Sequence, residues 1–525
     1  MTIPSRFINR EPEMAYLNET FHQEKSSLVI IYGRRRIGKT TLIKEFVDGK
    51  TALYFMATEE SERENKKSIQ RLLAEFANNT LLKKDLLLEW HEIFSLFADH
   101  ATDVKKILVI DEFQYLGKIN KGFPSVFQKI WDEILVNANV MVILCGSLVS
   151  MMVHQTLSYS SPLYGRRTGQ IRMKQISFKN YHLFFDEKGN YDLIAHYSVT
   201  GGVPKYIELF KPMDDIFEAI KTNILSKQCF LYEEPIFLLE REVGEIGTYF
   251  SIIKSIAAGH HKIGKIAAHI GINQSGATKY LRTLMELDIL ERITPVTETN
   301  PEKSKNGLYI IKDNFIRFWF RFVYPYRNYL EMENIDFVTH KIRQNFNDNH
   351  VSYIYEDICR ERLSDLISRD LPNFTLSKAG RWWDKNTEID IVALDSKEDS
   401  ILFGECKYTA RKVDSGIYYH LKEKSEKVPC KKDGQRLYAL FSKSGFTSEL
   451  TELAKKEKGL VLYHFNRLPK EYRFKGKEVY IKSSDVILSS KPDSWKDFFF
   501  SDEKVSPDFM IDRQDLDLEE RDIFQ

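Results

Sequence analysis

The run Gly33-Arg34-Arg35-Arg36-Ile37-Gly38-Lys39-Thr40 stands between an apolar strand pattern, SLVIIY, and an amphipathic stretch, TLIKEFV. A glycine-bounded loop between strand and helix commits the chain around it to a βα unit. Such a unit is completed only by a parallel sheet whose strands return through crossover helices. TALYFMA, KKILVIDE and NVMVILCGS are further short apolar runs, with longer amphipathic stretches between them. Residues 1–170 are therefore expected to form a parallel-sheet core covered by helices on both faces.

The chain has 525 residues, enough for roughly three or four domains. With 43% hydrophobic and 29% charged residues it is an ordinary folding sequence. Lys and Arg number 76 against 75 Asp and Glu, a net charge of +1. That balance excludes a uniformly basic coat but not a local basic face. The longest apolar runs, Leu28–Tyr32 and Val140–Cys145, fall far short of the ~18–20 residues of a membrane span. The N-terminal MTIPSRFINREPE has no apolar stretch of signal-peptide type, so a cytoplasmic location is expected, without membrane association. The five cysteines are scattered with no CxxC pair; each reads as a small core residue, not a zinc ligand or disulfide partner.

Beyond the core, residues 171–240 read as a helical lid interrupted by GGVP at Gly201–Pro204. Residues 241–325 read as helices followed by a polar hairpin, and 326–350 as a connector. Residues 351–470 follow a helix, strand pair, helix, strand pattern. Residues 471–525, ending in DLDLEERD, read as a partly ordered tail.

The glycine-rich loop carries chemistry. Its glycines let backbone N–H groups from Gly33, Arg34, Arg35, Arg36, Ile37 and Gly38, through Thr40 and Thr41 at the helix start, face phosphate oxygens. Lys39 is suited to bridge the β- and γ-phosphates of ATP, and Thr40 to ligate Mg²⁺. The strand Ile107–Ile110 ends in Asp111 and Glu112, suited to hold the metal shell and to polarise the attacking water. A third strand ends in Gly146-Ser147; Ser147 either senses the γ-phosphate or is a simple turn serine. A P-loop nucleotide hydrolase is the expected activity.

Phe7-Ile8-Asn9-Arg10-Glu11-Pro12-Glu13, the phosphate loop, Asp111-Glu112-Phe113-Gln114, Gly146-Ser147, Leu163-Tyr164-Gly165-Arg166 and Thr200-Gly201-Gly202-Val203-Pro204-Lys205-Tyr206 occur in that order. Together they resemble the archaeal-type ATPases of the AAA+/STAND group. The resemblance covers roughly residues 3–240 and implies an ATPase core with a helical lid. It implies that the first motif, with Arg10, lies near the adenine, although Asn9 stands where relatives carry Gly. It also implies that Pro204 sits on the lid near the base. Arg166 or Arg167 resembles the arginine that reaches a γ-phosphate, in cis or from a neighbour in a homo-oligomer; a solvated basic turn is the alternative.

Ile263–Gly271 reads as a short helix ending in Gly, Asn273 starts a second, and ILERITPVTETNPEKSKNGLYIIKD reads as two strands around a polar tip. That is the winged helix-turn-helix layout. Gln274, Ser275, Thr278, Lys279 and Arg282 share the exposed part of the second helix, suited to DNA. Residues 245–295 hold six basic and four acidic residues, so a protein–protein or autoinhibitory module is the competing reading. His260, His261 and His269 lack a nearby Cys or carboxylate and read as ordinary residues. Phe315–Phe322 interleaves aromatics with Arg; a buried helix is expected there, with a nucleic-acid stacking surface as the alternative.

Arg381–Leu394 reads as a strand carrying Asp390, approached by a polar turn, and after a short turn, Asp395–Ser400, a second strand carries Glu405-Cys406-Lys407. Side chains alternate along a strand, so Glu405 and Lys407 share a face, and a hairpin would bring Asp390 beside them. Two carboxylates and a lysine suit Mg²⁺-dependent phosphodiester hydrolysis, with Asp390 and Glu405 as metal ligands. Glu356, on the preceding helix, is a fourth candidate. The constellation resembles the PD-(D/E)xK nuclease superfamily. A non-cleaving relative, or a solvated hairpin face, are the alternatives. The whole reads as a multidomain α/β ATPase acting on nucleic acid, DNA foremost, with a Mg²⁺-dependent nuclease domain. The alternative is a nucleotide-dependent switch whose C-terminal domain binds without cutting.

Overall fold

The computed structural model describes residues 8–79, 87–185, 189–396, 400–429 and 434–464, and three short strands between 472 and 489. Contacts divide the chain into two units, Met1–Phe465 and Asn466–Gln525.

The N-terminal sheet is built from β1 (Ser27–Tyr32), β2 (Ala52–Met56), β3 (Lys106–Asp111), β4 (Val140–Gly146) and β5 (Gly169–Arg172), in the order β2-β3-β4-β1-β5. Every pairing is parallel. β1, β3 and β4 are buried along their whole length, because helices cover both faces and leave no side of the strand for polar residues. With β3, β4 and β1 adjacent and parallel, Asp111, Ser147 and Gly33 all leave the sheet at one edge. That carboxyl edge is where open α/β sheets bind ligands.

The helices Asn190–Thr200, Pro204–Phe210 and Ile216–Ile220 follow the sheet, with Glu234–Glu242 after them. Gly201 and Gly202 have φ of 59° and 72° between the first two. A Cβ on Gly202 would stand 1.9 Å from the Ile176 carbonyl oxygen, so the chain can turn here only with glycine.

Ile246–Ala257, Ile263–Ile270 and Gln274–Glu286 form three helices. Asn273 caps the third, accepting from the Gly276 N–H at 2.7 Å. β6 (Leu290–Ile293) and β7 (Leu308–Ile311) pair antiparallel after them, with Leu290 opposite Ile311. In the aromatic stretch that follows, Phe315, Phe318, Trp319, Phe320 and Phe322 are buried. The stretch expected as a connector is itself packed. The Phe346 ring lies 6.3 Å from Phe318, and the His350 ring contacts Phe318 at 5.5 Å.

The C-terminal part of the first unit opens with the helix Ser352–Asp370. Its sheet consists of β8 (Leu376–Trp383), β9 (Glu388–Asp395), β10 (Ser400–Lys407), β11 (Gln435–Ser442) and β12 (Leu460–His464), ordered β12-β11-β10-β9-β8. β8, β9 and β10 form an antiparallel meander, and β10, β11 and β12 run parallel. Here the structure corrects the strand-pair reading: Arg381–Trp383 end a separate strand, β8, and the strand that carries Asp390 begins only at Glu388. β8 is an edge strand with Trp382 as its single buried residue, so its residues lack the apolar alternation that marks a half-buried strand.

In the second unit, β13 (Tyr472–Phe474), β14 (Lys477–Lys482) and β15 (Asp485–Ser489) form an antiparallel sheet in that order. DLDLEERD and Cys430 lie outside the described residues. Among the described residues, no helix is long and apolar enough to cross a membrane.

Candidate functional site

Gly38 has φ 90° and begins the helix Lys39–Val47, so the loop N–H groups and the helix N-terminus converge on one point. A Cβ on Gly33 would lie 2.5 Å from the Met173 carbonyl oxygen, which fixes glycine there. Lys39 folds back over the loop, donating to the Gly33 and Arg34 carbonyls, each at 2.8 Å. Its ammonium is buried, and burial lowers its pKa; a phosphate would supply the anion that restores the charged form. Thr40 Oγ1 donates to Asp111 at 3.2 Å, and the Tyr54 hydroxyl, from β2, donates to the same carboxylate. A hydroxyl and a carboxylate at that spacing are hard oxygen donors, a set that fits Mg²⁺.

Glu112 has φ 53°, an uncommon conformation for a side-chain-bearing residue. Its carboxylate accepts from the Ser147 hydroxyl at 2.7 Å, the Ser147 N–H at 3.2 Å and the Gln114 side-chain amide. Ser147 is thus engaged with Glu112, so its hydroxyl is a positioning group for that carboxylate.

The three loop arginines point away from the cradle, each to a different element. Arg34 pairs with the buried Asp313 at 2.5 Å. Arg35 donates to the Tyr115 hydroxyl at 2.7 Å. Arg36 pairs with Glu234 and lies 4.2 Å over the Phe230 ring. Their backbone, not their side chains, lines the phosphate position. Arg10, expected near the base, is also held by protein partners. It is buried and donates to the Ile37 carbonyl at 3.0 Å and the Lys174 carbonyl at 2.7 Å, buttressing the loop from behind. Asn9 has φ 57°; Asn tolerates this left-handed region better than most side chains, which explains how it replaces glycine.

Arg166 is not in this chain's cradle. The Thr168 N–H bonds the Leu28 carbonyl, near the start of β1, while the phosphate loop leaves the other end. Arg166 pairs there with Asp132 at 3.0 Å, and Arg167 lies 4.9 Å over the Tyr164 ring. Pro204 opens the helix Pro204–Phe210, just after the Gly202 carbonyl accepts from the Ile176 N–H at 2.8 Å. Thr41, three residues beyond Gly38, is exposed on the first turn of its helix.

In the C-terminal sheet, Gly404 faces Ile391 across the β9–β10 pairing, which sets Asp390 beside Glu405 and Cys406. The Cys406 N–H donates to Asp390 at 2.8 Å. Glu405 is nearly buried and takes two lysines, Lys407 at 2.7 Å and Lys424 at 3.2 Å. Lys424 escaped sequence reasoning because LKEKSEK reads as a solvated helix face. Glu356 is paired with Arg381 at 2.6 Å. Burial, then the Asp390 carboxylate, push Glu356 up to about 8; burial, then Glu405, push Asp390 up to about 6. Crowded buried carboxyls of this kind favour a cation in their midst. The donor set is two carboxylates, Asp390 and Glu405. Among the described residues no cluster of three His, Cys, Asp or Glu side chains is arranged for a metal, so a Mg²⁺ ion there would need water or backbone oxygen to complete its shell.

Residues 7–210 match the family described as an ATPase domain predominantly from Archaea. An uncharacterized protein of Methanocaldococcus jannaschii is 35% identical over 439 residues, 83% of this chain and 95% of its own. The chain belongs to this archaeal ATPase family. An uncharacterized ATP-binding protein of the same organism is 48% identical over 44 residues, 8% of this chain and 75% of its own. Residues 319–420 of the ATPase match a second family, described as Archaea bacterial proteins of unknown function. Among solved structures, the Walker-type ATPase of Pyrococcus abyssi is similar at 20% identity and TM-score 0.46, covering 61% of this chain and 97% of that one. The ORC2 protein of Aeropyrum pernix, in ADPNP–ADP complexes, is similar at 14% identity and TM-score 0.40, covering 65% and 96%.

Two features of the ATPase site were not legible in its sequence. The segment after β5 straps the phosphate loop to distant elements. Met173 bonds Tyr32, Lys174 bonds Arg10, and Gln175 donates to Asp313 at 2.7 Å. And Glu242, at the end of the helix Glu234–Glu242, accepts from the Val149 N–H at 3.2 Å; burial pushes its carboxyl up. None of these four partner pairs lies within ten residues in sequence, so no local pattern announces them. On the helix Gln274–Glu286 of the ATPase, Gln274, Ser275, Thr278, Lys279 and Arg282 are all exposed. The hairpin beyond is engaged with β8: the Val296 N–H donates to the Arg381 carbonyl at 2.9 Å.

Proposed function

We propose that the ATPase couples its nucleotide cycle to DNA processing, with the three-helix-and-hairpin segment acting as a winged helix and the C-terminal sheet as a PD-(D/E)xK-type nuclease. One observation carries the reading: the phosphate loop is tied by a buried ion pair, Arg34–Asp313, to the residue that follows β7 and caps the next helix. The β6–β7 hairpin in turn bonds Arg381, which pairs with Glu356 beside the Asp390–Glu405 carboxylates. A shift of the phosphate loop therefore has a chain of polar contacts along which to reach the C-terminal carboxylates.

In this reading Lys39 and the loop N–H groups hold the β- and γ-phosphates, and Glu112, oriented by Ser147 and Gln114, takes the proton of the attacking water. Thr40 and Asp111 would hold Mg²⁺ at the nucleotide, and Asp390 and Glu405 at the second site, where bound metal supplies charge neutralisation at the phosphate. Lys407 orients the water there. Arg166, ion-paired with Asp132 in this chain, would serve a neighbouring copy in an oligomer.

The test is incubation of the full chain with single- and double-stranded DNA, with and without ATP and Mg²⁺. Asp390→Ala should remove cleavage while ATP hydrolysis persists. No cleavage of any substrate by wild type would leave the second reading, a nucleotide-dependent switch that binds without cutting. The two lysines already neutralising Glu405 favour that alternative.

A further inference from the structure

An open cleft of about 790 Å³ lies between the helix Ile246–Ala257, the turn Trp319–Val323 with the residues after it, and the helix Ile335–Phe346. Four cations line it: Lys254, Arg321, Arg327 and Lys341. No carboxylate does. The chain as a whole carries 76 basic and 75 acidic residues, so a four-to-none lining departs sharply from its average. Arg327 is neutralised by Glu233 at 2.5 Å. Lys254, Arg321 and Lys341 form no ion pair among the described residues. Cations gathered in a concave wall repel one another and focus a positive potential that only an incoming anion offsets.

The rest of the lining is suited to bases. Tyr324 and Tyr326 are half-buried in the wall, and Lys254 Nζ stands 5.4 Å over the Tyr324 ring. Of the three amides in the lining, Asn345 donates to the Lys341 carbonyl and Asn349 to Asn345, each at 3.0 Å, while Asn328 is exposed to an incoming ligand. Two turns of the wider π-helical type contribute to the wall, Trp319–Val323 and Asn347–Val351.

We propose that this cleft binds single-stranded nucleic acid, with backbone phosphates along Lys254, Arg321 and Lys341 and bases stacked on Tyr324 and Tyr326. A basic groove with aromatic platforms is the pattern that holds single strands without reading sequence. A duplex keeps its base faces inside its own stack, out of reach of the tyrosines. The cleft shares no residue with the exposed face of Gln274–Glu286, so it is a second site on the ATPase. The ligand class rests on the nucleic-acid reading above; the residues do not. A free nucleotide offers the same phosphate-plus-base chemistry, and the experiment separates it from a polymer.

Fluorescence anisotropy of a short labelled oligothymidylate, titrated with the full chain over a salt series, tests the proposal. Arg321→Glu with Lys341→Glu should weaken binding at least about tenfold and reduce the slope of log K against log salt by about 1.4, at ~0.7 per phosphate contact on a single strand. Tyr326→Ala should weaken binding about tenfold, the loss of one stacking platform. ATP binding by each variant reports folding. The milder Arg321→Gln with Lys341→Gln serves if charge reversal unfolds the chain, with the same slope change expected. An unchanged affinity and slope in folded variants overturns the proposal, as does displacement of the oligomer by equimolar thymidine monophosphate. If Lys279→Ala with Arg282→Ala abolishes single-strand binding while the cleft variants keep it, the cleft proposal falls and the DNA reading of the ATPase stands. If wild type binds no nucleic acid at all, both fall.

Discussion

Lys39 stands where one side chain decides occupancy. It is the cation that the phosphate loop closes over, and it now satisfies itself on the Gly33 and Arg34 carbonyls. Lys39→Ala should therefore abolish tight ATP binding, measured by calorimetric titration, while leaving the fold intact. Glu112→Gln should bind ATP normally but hydrolyse it at least about a hundredfold more slowly, the scale of losing a positioned base; a phosphate-release assay reads this. His350 gives a prediction in pH. It is fully buried with Nε2 2.8 Å from the Ser198 carbonyl, and burial, with Arg317 and Arg321 nearby, pushes its pKa down to about 3. The unfolded chain thus binds a proton at this site that the folded chain refuses between the ordinary histidine range and pH 3. Its contribution to stability is present above that ordinary range and is lost as pH falls through the window, at up to about 1.4 kcal/mol per pH unit. His350→Gln should flatten the acid side of the Tm-against-pH curve over that window.

Among the elements, the helix Gln274–Glu286 presents Lys279 and Arg282 to solvent, while its apolar side, Ala277, Leu281 and Leu284, is buried. If the element docks on duplex DNA, neutralising both cations should weaken binding about equally across sequences. The salt slope should fall by roughly two units, at ~0.9 per phosphate. An unchanged slope on duplex DNA removes this helix from the interface. β8 shows the opposite case: an edge strand whose polar residues are used internally, Arg381 meeting both Val296 and Glu356. An element with little apolar alternation still forms when its partner strand, β9, is buried and its backbone has a ladder to join.

Across the whole molecule, Asp313 is the knot. It is completely buried and caps the helix Asn314–Phe318 through the Ile316 N–H, and it accepts from both Arg34 and Gln175. Asp313→Ala would leave the Arg34 charge buried and unpaired, a loss of about 3–5 kcal/mol, visible in chemical denaturation. It should also weaken ATP binding, because the same arginine belongs to the phosphate loop. Arg34→Met with Asp313→Leu, which removes the whole pair, should recover much of the stability; under the proposed coupling, any dependence of the C-terminal domain on nucleotide should be lost. A double variant that keeps such dependence would show that the link between them runs elsewhere.

The sequence by itself determined the parallel-sheet core and the phosphate loop, because both are local. A strand, a glycine turn and a helix N-terminus are contiguous residues whose backbone geometry allows one arrangement. The pairing of Asp390 with Glu405 was nearly as legible, since β9 and β10 are close in sequence and strand alternation fixes which side chains share a face. Tertiary structure alone decided the rest. That Arg10 buttresses the loop, that Arg34 reaches Asp313 and that Lys424 joins Glu405 depend on residues brought together by packing, up to 279 positions apart. The same holds for Arg166, which a motif suggested for a phosphate and the direction of β1 assigned to the far edge of the sheet. Side-chain chemistry sets what a residue is able to do. The course of the backbone through the core sets what it meets.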